Sequence, residues 1–378
     1  MSRVFPPYWD VLPFNLAIKD VTSEYSKLQK SEYLEQGGFP IVDQGQQKFG
    51  GYTDDESVVS LDGYPAIIFG DHTRIFKFID EPFCLGADGT KVLEPKTELD
   101  KKFLFYYLSS LNIESAGYSR HFKFLKENVV PVPPLPEQKR IAAILDKADA
   151  IRRKRQQAIQ LADDFLRAVF LDMFGDPVTN PKRFPLGTIR ELVESANYGS
   201  SAKASETSGD YPILRMGNIT YEGSIDMTDL KFIDLSEKDK PKYLAMKGDL
   251  LFNRTNSKEL VGKSAVYDRD DPVAIAGYLI RVRTNEKGNS HYISGYLNST
   301  HGKITLQNIC KSIVGMANIN AQEMQDIPIL TPPVNLQNHY RDIVISTKKK
   351  LETHRMALSH NNELFHALRQ EAFSGKLS

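Results

Sequence analysis

The chain has little that would tie it to an oxidising compartment or to a membrane. Only two cysteines, Cys84 and Cys310, occur in 378 residues, which is too few for a disulfide framework or a cysteine zinc site. No apolar run reaches the roughly 18 residues that a membrane helix needs. Even AIAGYLI, which starts at Ala274, is short enough to be a buried strand. We expect a cytoplasmic protein with no membrane association.

The sequence also lacks an excess of either charge. Lysine and arginine number 48, and aspartate and glutamate number 48, so a uniformly basic surface that wraps nucleic acid is excluded. Any DNA contact must use local basic patches, such as SRHFKFLK from Ser119 or RRKR from Arg152. A charge run is most often a solvated face, so these segments indicate a function only together with other features.

Motifs of known catalytic chemistry are incomplete in this chain. FPPYW from Phe5 is similar to the loop with which amino-methyltransferases hold a flipped adenine, but Phe5 replaces the polar acceptor. VGKS from Val261 looks like the end of a phosphate-binding loop, yet the first glycine of that pattern falls at Ser257. Neither metal-ligand spacing nor a nucleophile motif stands out. We therefore expect a binding protein without catalytic residues, metal or cofactor.

The stretch from 137 to 174 contains neither proline nor glycine. Its apolar and small residues recur four and three positions apart, with Arg155 in one gap, and this is the heptad spacing of a helix that packs against another helix. Such a helix would run roughly 55 Å and end at Gly175 and Pro177. Its predicted seam consists of Ile144, Ala148, Ile151, Ala158, Ala162, Phe165 and Val169.

A second copy of this helix lies further along the chain. PPLPEQ from Pro133 is echoed by PPVNLQ from Pro332, and the two glutamines, Gln138 and Gln337, differ by 337 − 138 = 199. A constant register over this length indicates an internal repeat, so each proline run is interpreted as the start of a long helix rather than as a peptide ligand. The second seam is predicted at Val344, Leu351, Leu358, Phe365 and Leu368, with polar Thr347, His354 and Asn361 between them.

Two stretches of mixed character lie before and between the long helices. YPAIIFG from Tyr64 and GDLLFNRT from Gly248 are typical of strands between turns. A shorter helix follows in each stretch, at KKFLFYYLSSL from Lys101 and at HYISGYLNSTHGKITLQNI from His291. The predicted order is therefore domain, long helix, domain, long helix.

Over its whole length the chain resembles the specificity subunit of type I restriction-modification systems. PLPEQKRIAAILDKADAIRRKRQQAIQLADDFLRAVFLDMFGDP is similar to the family's central conserved region, and YPAIIFGDHTRIFKF and YPILRMGNI are similar to segments of its recognition domains. The resemblance implies an α+β fold: two mixed α/β target-recognition domains separated by an antiparallel coiled coil of two long conserved helices. The domains would span 1–134 and 177–332, and the helices 135–176 and 333–378. PPVNLQNHY departs from the family's usual start of the second helix.

The resemblance also implies a function and partners. A non-catalytic subunit of this kind reads an asymmetric bipartite site in double-stranded DNA and binds two methyltransferase subunits, and restriction subunits supply ATP-driven cleavage. Two alternatives stay open. The chain could be an orphan DNA-binding module of a defence system that lacks the methyltransferase, or a coiled-coil scaffold that binds only protein.

Candidate DNA-reading residues are polar and basic side chains in loops, because arginine, lysine, asparagine and glutamine can pair with base edges. The segment DQGQQKFGGY from Asp43 is favoured because its glycines would let a loop approach a groove. The candidates in the first domain are Gln44, Gln46, Gln47, Lys48, Arg120 and Lys123. Those in the second are Ser200, Lys203, Arg215, Asn218, Arg254, Asn256 and Lys258.

Overall fold

The computed structural model describes residues 5–115, 117, 119–313 and 315–377. The chain forms two compact units, one made of Met1–Gln156 with Met356–Ser378 and the other of Gln157–Arg355. Each unit thus combines one stretch of mixed helix and sheet with one half of each of two long helices. In the part of the chain that is described, no helix is both long and apolar enough to cross a membrane.

The first unit is built from short strands, three short helices and the first long helix. Its strands are β1 (Asp10–Pro13), β2 (Ile18–Asp20), β3 (Lys27–Leu28), β4 (Phe39–Val42), β5 (Gly51–Thr53), β6 (Ala66–Gly70), β7 (Phe76–Ile79), β8 (Cys84–Gly86), β9 (Thr90–Pro95) and β10 (Val129–Val132). The helices are α1 (Phe14–Ala17), α2 (Lys101–Ser109), α3 (Phe122–Leu125) and α4 (Leu135–Phe174), of which α4 continues into the second unit.

The second unit has a similar set of elements. Its strands are β11 (Leu186–Thr188), β12 (Val193–Tyr198), β13 (Tyr211–Leu214), β14 (Lys231–Ile233), β15 (Leu244–Ala245), β16 (Leu250–Asn253), β17 (Thr255–Asn256), β18 (Ser264–Val266), β19 (Val273–Ile275), β20 (Leu279–Thr284), β21 (Lys311–Ile313), β22 (Met316–Asn318) and β23 (Pro328–Leu330). Its helices are α5 (Lys240–Tyr243), α6 (Ser290–Asn298), α7 (Thr300–Ile309), α8 (Ala321–Gln325) and α9 (Val334–Ala372), and α9 ends in the first unit.

The strand order of the two units repeats. An antiparallel sheet β2-β9-β6-β7 in the first unit matches the antiparallel sheet β12-β20-β16-β18 in the second. Each unit also has a second four-stranded sheet whose two central strands are parallel. These strands are β4 and β8 in the first unit and β13 and β19 in the second. The pairs β1-β10 and β11-β23 then lead into α4 and α9. The internal repeat therefore extends beyond the long helices to the sheets, whose sequences show little likeness.

The long helix α4 ends where its sequence stops supporting a helix. Gly175 follows with a φ of 77°, a left-handed conformation that favours glycine, and a Cβ there would lie 2.8 Å from Pro181. At the other end, Glu137 in the first turn accepts the indole N–H of Trp9 at 3.2 Å. The helix is thus fixed at its start by the segment FPPYW, which has a structural role here.

In the first unit, α4 and α9 run antiparallel. Arg140 donates to the carbonyl of Leu377 at 2.5 Å, and Arg152 donates to the side chain of Asn362 at 2.8 Å. Residue numbers therefore increase along α4 in the direction in which they decrease along α9. Their apolar faces join the core that holds α1 and α2. Buried members of this core are Trp9, Phe14, Phe103, Leu104, Tyr107, Ile141, Leu145, Phe365, Ala372 and Phe373.

The same arrangement recurs in the second unit with other residues. Phe170 and Phe174 of α4 each pack edge-on against Tyr340 of α9, with ring centroids 5.5 Å apart. Tyr292 of α6 stacks on Phe170 at 5.9 Å, so the helix that follows the sheet is anchored to the long helices. Val344 lies in the same buried cluster.

The predicted seam of α9 agrees with its burial pattern. Val344, Leu351 and Phe365 are buried, at 6%, 3% and 7% exposure, and Leu358 and Leu368 are partly buried. Thr347, His354 and Asn361 are also partly buried between them. Large apolar residues recur every seven positions, at Val344, Leu351, Leu358 and Phe365. This spacing allows only one face of α9 to be the buried seam.

The predicted seam of α4 is shifted by one residue at two places. Ile144, Ala148, Ala158, Ala162 and Val169 are partly buried as expected, but Ile151 and Phe165 are each 50% exposed. Their neighbours Arg152 and Leu166 turn inward instead, and the Arg152 guanidinium lies 4.4 Å from the ring centre of Phe365. An arginine stem covers apolar surface and stacks on an aromatic face, so the hydrophobic pattern alone selected the wrong neighbour.

Candidate nucleic-acid interface

In the first unit, the segment that follows β6 is held from three directions. Asp71, 3% exposed, donates its backbone N–H to the carbonyl of Gly89 at 2.6 Å. Its carboxylate accepts the backbone N–H of Phe122 at 2.7 Å, and its carbonyl accepts that of His121 at 2.9 Å. The residues that follow, 72–74, are therefore presented in a defined geometry.

Gln44 is one predicted site residue that the structure brings to this segment. Its side-chain oxygen accepts the backbone N–H of His72 at 3.2 Å, and its carbonyl accepts the hydroxyl of Thr73 at 2.7 Å. The amide nitrogen of Gln44 has no partner among the described residues, so it remains able to donate to a base edge. His72 and Thr73 were not selected from the sequence.

The rest of the DQGQQK loop is more open. Gln46 and Gln47 are exposed. Lys48 is also exposed, but its ammonium lies 2.8 Å from Glu81 and 3.3 Å from Asp80. Since exposed ion pairs are weak, a DNA phosphate or base can replace these carboxylates as the partner of Lys48.

A small basic patch surrounds α3. Arg120 and Lys123 are exposed there, as the predicted DNA contacts require. Two further lysines, Lys91 on β9 and Lys126 after α3, lie 5.2 Å and 4.7 Å from the ring centre of Phe122. Lys91 comes from a strand thirty residues earlier, so the run SRHFKFLK gave no sign that it belongs to this patch.

In the second unit, the equivalent segment after β16 is centred on Arg254. Its guanidinium lies 4.7 Å from the ring centre of Tyr198 on β12, and Nη2 donates to the side-chain oxygen of Asn318 at 3.3 Å. Its backbone N–H donates to the carbonyl of Tyr278, and its carbonyl accepts the N–H of Ile319. The ends of β12, β16, β22 and the start of β20 thus meet at one arginine.

Four other predicted residues of this unit lie in nearby segments. Ser200 follows β12 and is only 6% exposed, with its hydroxyl accepting the N–H of Ala202 at 3.2 Å. Lys203 and Lys258 are exposed, and Asn256 is partly buried. Ser200 therefore shapes its own turn, whereas the two lysines are available to phosphates.

Asn218, which was predicted to contact DNA, is buried and bonded within its own loop. It is 4% exposed, and its side-chain oxygen accepts the N–H of Arg215 at 2.8 Å while its nitrogen donates to the carbonyls of Asp226 and Asp229. Arg215 also pairs with the carboxylate of Asp229 at 2.8 Å. Asn218 thus holds this loop together, and Arg215 is partly neutralised.

Exposed aromatic rings in the second unit were missed by the sequence reasoning. Tyr278 is 53% exposed and Tyr198 is 38% exposed. The Tyr198 ring lies against the guanidinium of Arg254, and the backbone carbonyl of Tyr278 accepts the N–H of Arg254. Each tyrosine adjoins a glycine in the sequence, Gly199 or Gly277, a signal of an exposed turn that could have found them. The second unit thus places hydrogen-bonding, basic and aromatic groups around the segment after β16, and the first unit places hydrogen-bonding groups around the equivalent segment after β6.

Comparison with known proteins is more specific. The family model of the type I restriction modification DNA specificity domain matches residues 16–161 and again 181–357. The chain is 26% identical over 274 residues to the type I restriction enzyme EcoKI specificity subunit of Escherichia coli (strain K12), covering 66% of this chain and 58% of that one. It is 28% identical over 167 residues to the putative type I restriction enzyme MjaX specificity subunit of Methanocaldococcus jannaschii, covering 43% and 39%. The matches span less than two thirds of each relative.

The fold is similar to that of the S subunit of a type I restriction-modification system from M. genitalium, with a TM-score of 0.63, 17% identity and 99% of each chain covered. At this identity the likeness concerns the fold alone. Because the family model matches most of the chain, the chain belongs to the family of type I restriction-modification DNA specificity domains. This membership confirms the resemblance drawn from the sequence, and the fold is the expected α+β fold.

Proposed function

We propose that the chain directs a type I restriction-modification complex to an asymmetric bipartite DNA target. The observation that carries this proposal is that one strand order occurs twice while the loops after β6 and β16 carry different chemistry. The first loop is bordered by Gln44 and Thr73, and the second by Arg254 and Tyr198. Similar readers with unlike side chains suit two unlike half-sites. The recognition domains would be 1–134 and 177–332.

Contacts of two kinds would secure the DNA. Side chains fixed by neighbours, such as Gln44 and Arg254, suit base edges, because a base contact requires a defined orientation. Exposed lysines, such as Lys123, Lys203 and Lys258, suit phosphates. With a net charge of zero, the chain alone would bind DNA weakly, so bound subunits would supply part of the phosphate contacts.

The outer faces of the long helices would bind the methyltransferase subunits. Leu161 and Phe165, four residues apart on one face of α4, are 59% and 50% exposed, and Met356 of α9 is 66% exposed. Exposed apolar residues of this size often mark protein interfaces. Two methyltransferase subunits and the restriction subunits would complete the complex in the cytoplasm, with 135–176 and 333–378 as the helices that carry them.

Expression with and without this gene, followed by mapping of modified adenines in the genome, tests the function. We expect modification at one bipartite motif that disappears when the gene is deleted. Unchanged modification after deletion would contradict the proposal. A DNA-bound chain that fails to co-purify with any methyltransferase would favour an orphan module, and a complex that protects no DNA would favour a protein scaffold.

A further inference from the structure

Arg254 is fixed by neighbouring groups on both its backbone and its side chain. Its backbone is bonded on both sides, at 3.0 Å to the carbonyl of Tyr278 and at 2.9 Å from the N–H of Ile319. Its guanidinium stacks over Tyr198 and donates to Asn318. A long side chain normally loses much rotamer freedom when it binds, and here that freedom is already lost.

The two groups that hold the guanidinium are themselves fixed. The hydroxyl of Tyr198 accepts the backbone N–H of Ala321, the first residue of α8, at 3.0 Å. The side-chain nitrogen of Asn318 donates to the hydroxyl of Thr255 at 2.7 Å, which directs its oxygen towards Arg254. The arginine is therefore oriented by a chain of contacts that reaches β12, β17, β22 and α8 of the second unit.

The charge of Arg254 is not neutralised within the described chain. Other arginines of this unit pair with carboxylates: Arg215 with Asp229 at 2.8 Å, and Arg283 with Asp249 at 2.9 Å. Arg254 forms no such pair among the described residues, and its Nε is buried with no acceptor there. Because the positive charge has no carboxylate partner there, a ligand that brings acceptors to the terminal nitrogens is favoured at this position.

We propose that Arg254 reads a guanine in the second half-site, with Tyr198 and Asn318 as positioning residues; this inference rests on the proposed function. A guanine presents two acceptors, O6 and N7, side by side in the major groove, and they match the parallel donors of a guanidinium. Adenine offers one acceptor and one donor at the same place. A phosphate would also accept these bonds, but it needs no fixed plane, and the stacked, bonded geometry of Arg254 supplies one.

The corresponding segment of the first unit, residues 72–74, presents no free arginine. The arginine in the corresponding segment, Arg74, donates to the carbonyl of Ile113 at 2.8 Å and so is used within the fold. Gln44, whose free amide nitrogen can only donate, borders that segment instead. Of these two corresponding segments, only the one in the second unit is therefore expected to contact a guanine through an arginine.

The test uses the full chain bound to its methyltransferase subunits and the selected bipartite DNA. Each guanine of the second half-site is replaced in turn by 7-deazaguanine, which lacks the N7 acceptor. We expect one position at which affinity falls by about 10-fold to 100-fold. Arg254→Gln should lose discrimination at that base pair only, and the analogue should then cost nothing further. Arg254→Lys should keep a weaker preference for guanine, because lysine can also donate to O6 and N7.

Matched variants separate a base reader from a phosphate contact. Lys258→Gln should lower affinity equally for all sequences and reduce the salt dependence. Tyr198→Leu should weaken discrimination at the Arg254 position and leave the first half-site unchanged. A second half-site without guanine, insensitivity to 7-deazaguanine, or an equal loss on all sequences in Arg254→Lys would overturn the inference while leaving the bipartite function intact. Absence of any bipartite preference in the unaltered complex would instead overturn the proposed function.

Discussion

Gln138 offers the sharpest test of how a recognition domain is attached to its long helix. The side chain is fully buried; its oxygen accepts the N–H of Asp100 at 2.7 Å, and its nitrogen donates to the carbonyls of Glu98 (3.1 Å) and Pro133 (2.7 Å). Asp100 is also the N-cap of α2. One amide thus joins the start of α4 to the start of the domain's own helix.

Gln138→Met keeps the length of the side chain and removes all three hydrogen bonds. An unsatisfied buried N–H at Asp100 costs about 1–3 kcal/mol, and each lost bond to a carbonyl about 0.5–1.5 kcal/mol. Since the added apolar surface offsets part of this loss, we expect the free energy of unfolding of the first unit to fall by about 3 kcal/mol. Urea denaturation gives the magnitude, and hydrogen exchange at residues 98–104 gives the location.

The control is Gln157→Met, at an exposed glutamine of the same helix, which should change stability by less than about 0.5 kcal/mol. The internal repeat allows the same experiment in the second unit. Gln337 makes three equivalent contacts, with the N–H of Asn289 and the carbonyls of Lys287 and Pro332. Gln337→Met should therefore weaken the second unit by a similar amount. If Gln138→Met were as stable as the control, the attachment by this amide would be refuted.

Two further predictions concern the long helices, and a third concerns Lys303 of α7. Phe365→Ala, at a buried seam position, should lower the free energy of unfolding by about 3 kcal/mol, and Leu364→Ala, at an exposed neighbour, by less than about 1 kcal/mol; equal losses in denaturation would contradict the seam. Ile151→Asp should leave thermal stability nearly unchanged because the side chain is half exposed, but should weaken co-purification of methyltransferase subunits. Burial lowers the pKa of Lys303 from 10.5 to about 8, so between these values only the unfolded chain keeps the proton and stability rises with pH. Lys303→Met should abolish that rise in denaturation at pH 8–10.

The sequence was sufficient to predict the two long helices and the internal repeat that relates them. The offset of 199 residues between Gln138 and Gln337 reflects identical hydrogen bonding in the two units, and identical bonding requires the same residue type. The seam of α4 was less certain because Ile151 and Arg152 both fit a heptad. Stacking of the Arg152 guanidinium on Phe365 decided between them, and that contact joins residues more than 200 positions apart.

The candidate interface was only partly predictable, for a similar reason. Gln44 and Arg254 were selected because polar residues beside glycine or after an apolar strand are typical of exposed loops, and their roles in DNA reading stay predictions. The role of Asn218 depends on carbonyls at Asp226 and Asp229, whose positions follow from the path of a loop. Tyr198 became part of the site because β12 pairs with β20 and so brings it beside Arg254.

The most direct measurement is a selection on randomised duplex DNA by the chain bound to its methyltransferase subunits. We expect two unlike half-sites separated by a non-specific gap, with their centres roughly one helical turn, about 34–36 Å, apart. Changes at Gln46 or Lys48 should alter base preference in one half-site only, and changes at Arg254 or Asn256 in the other only. A single contiguous motif, a palindrome, or a variant that alters both half-sites would contradict recognition by two independent readers.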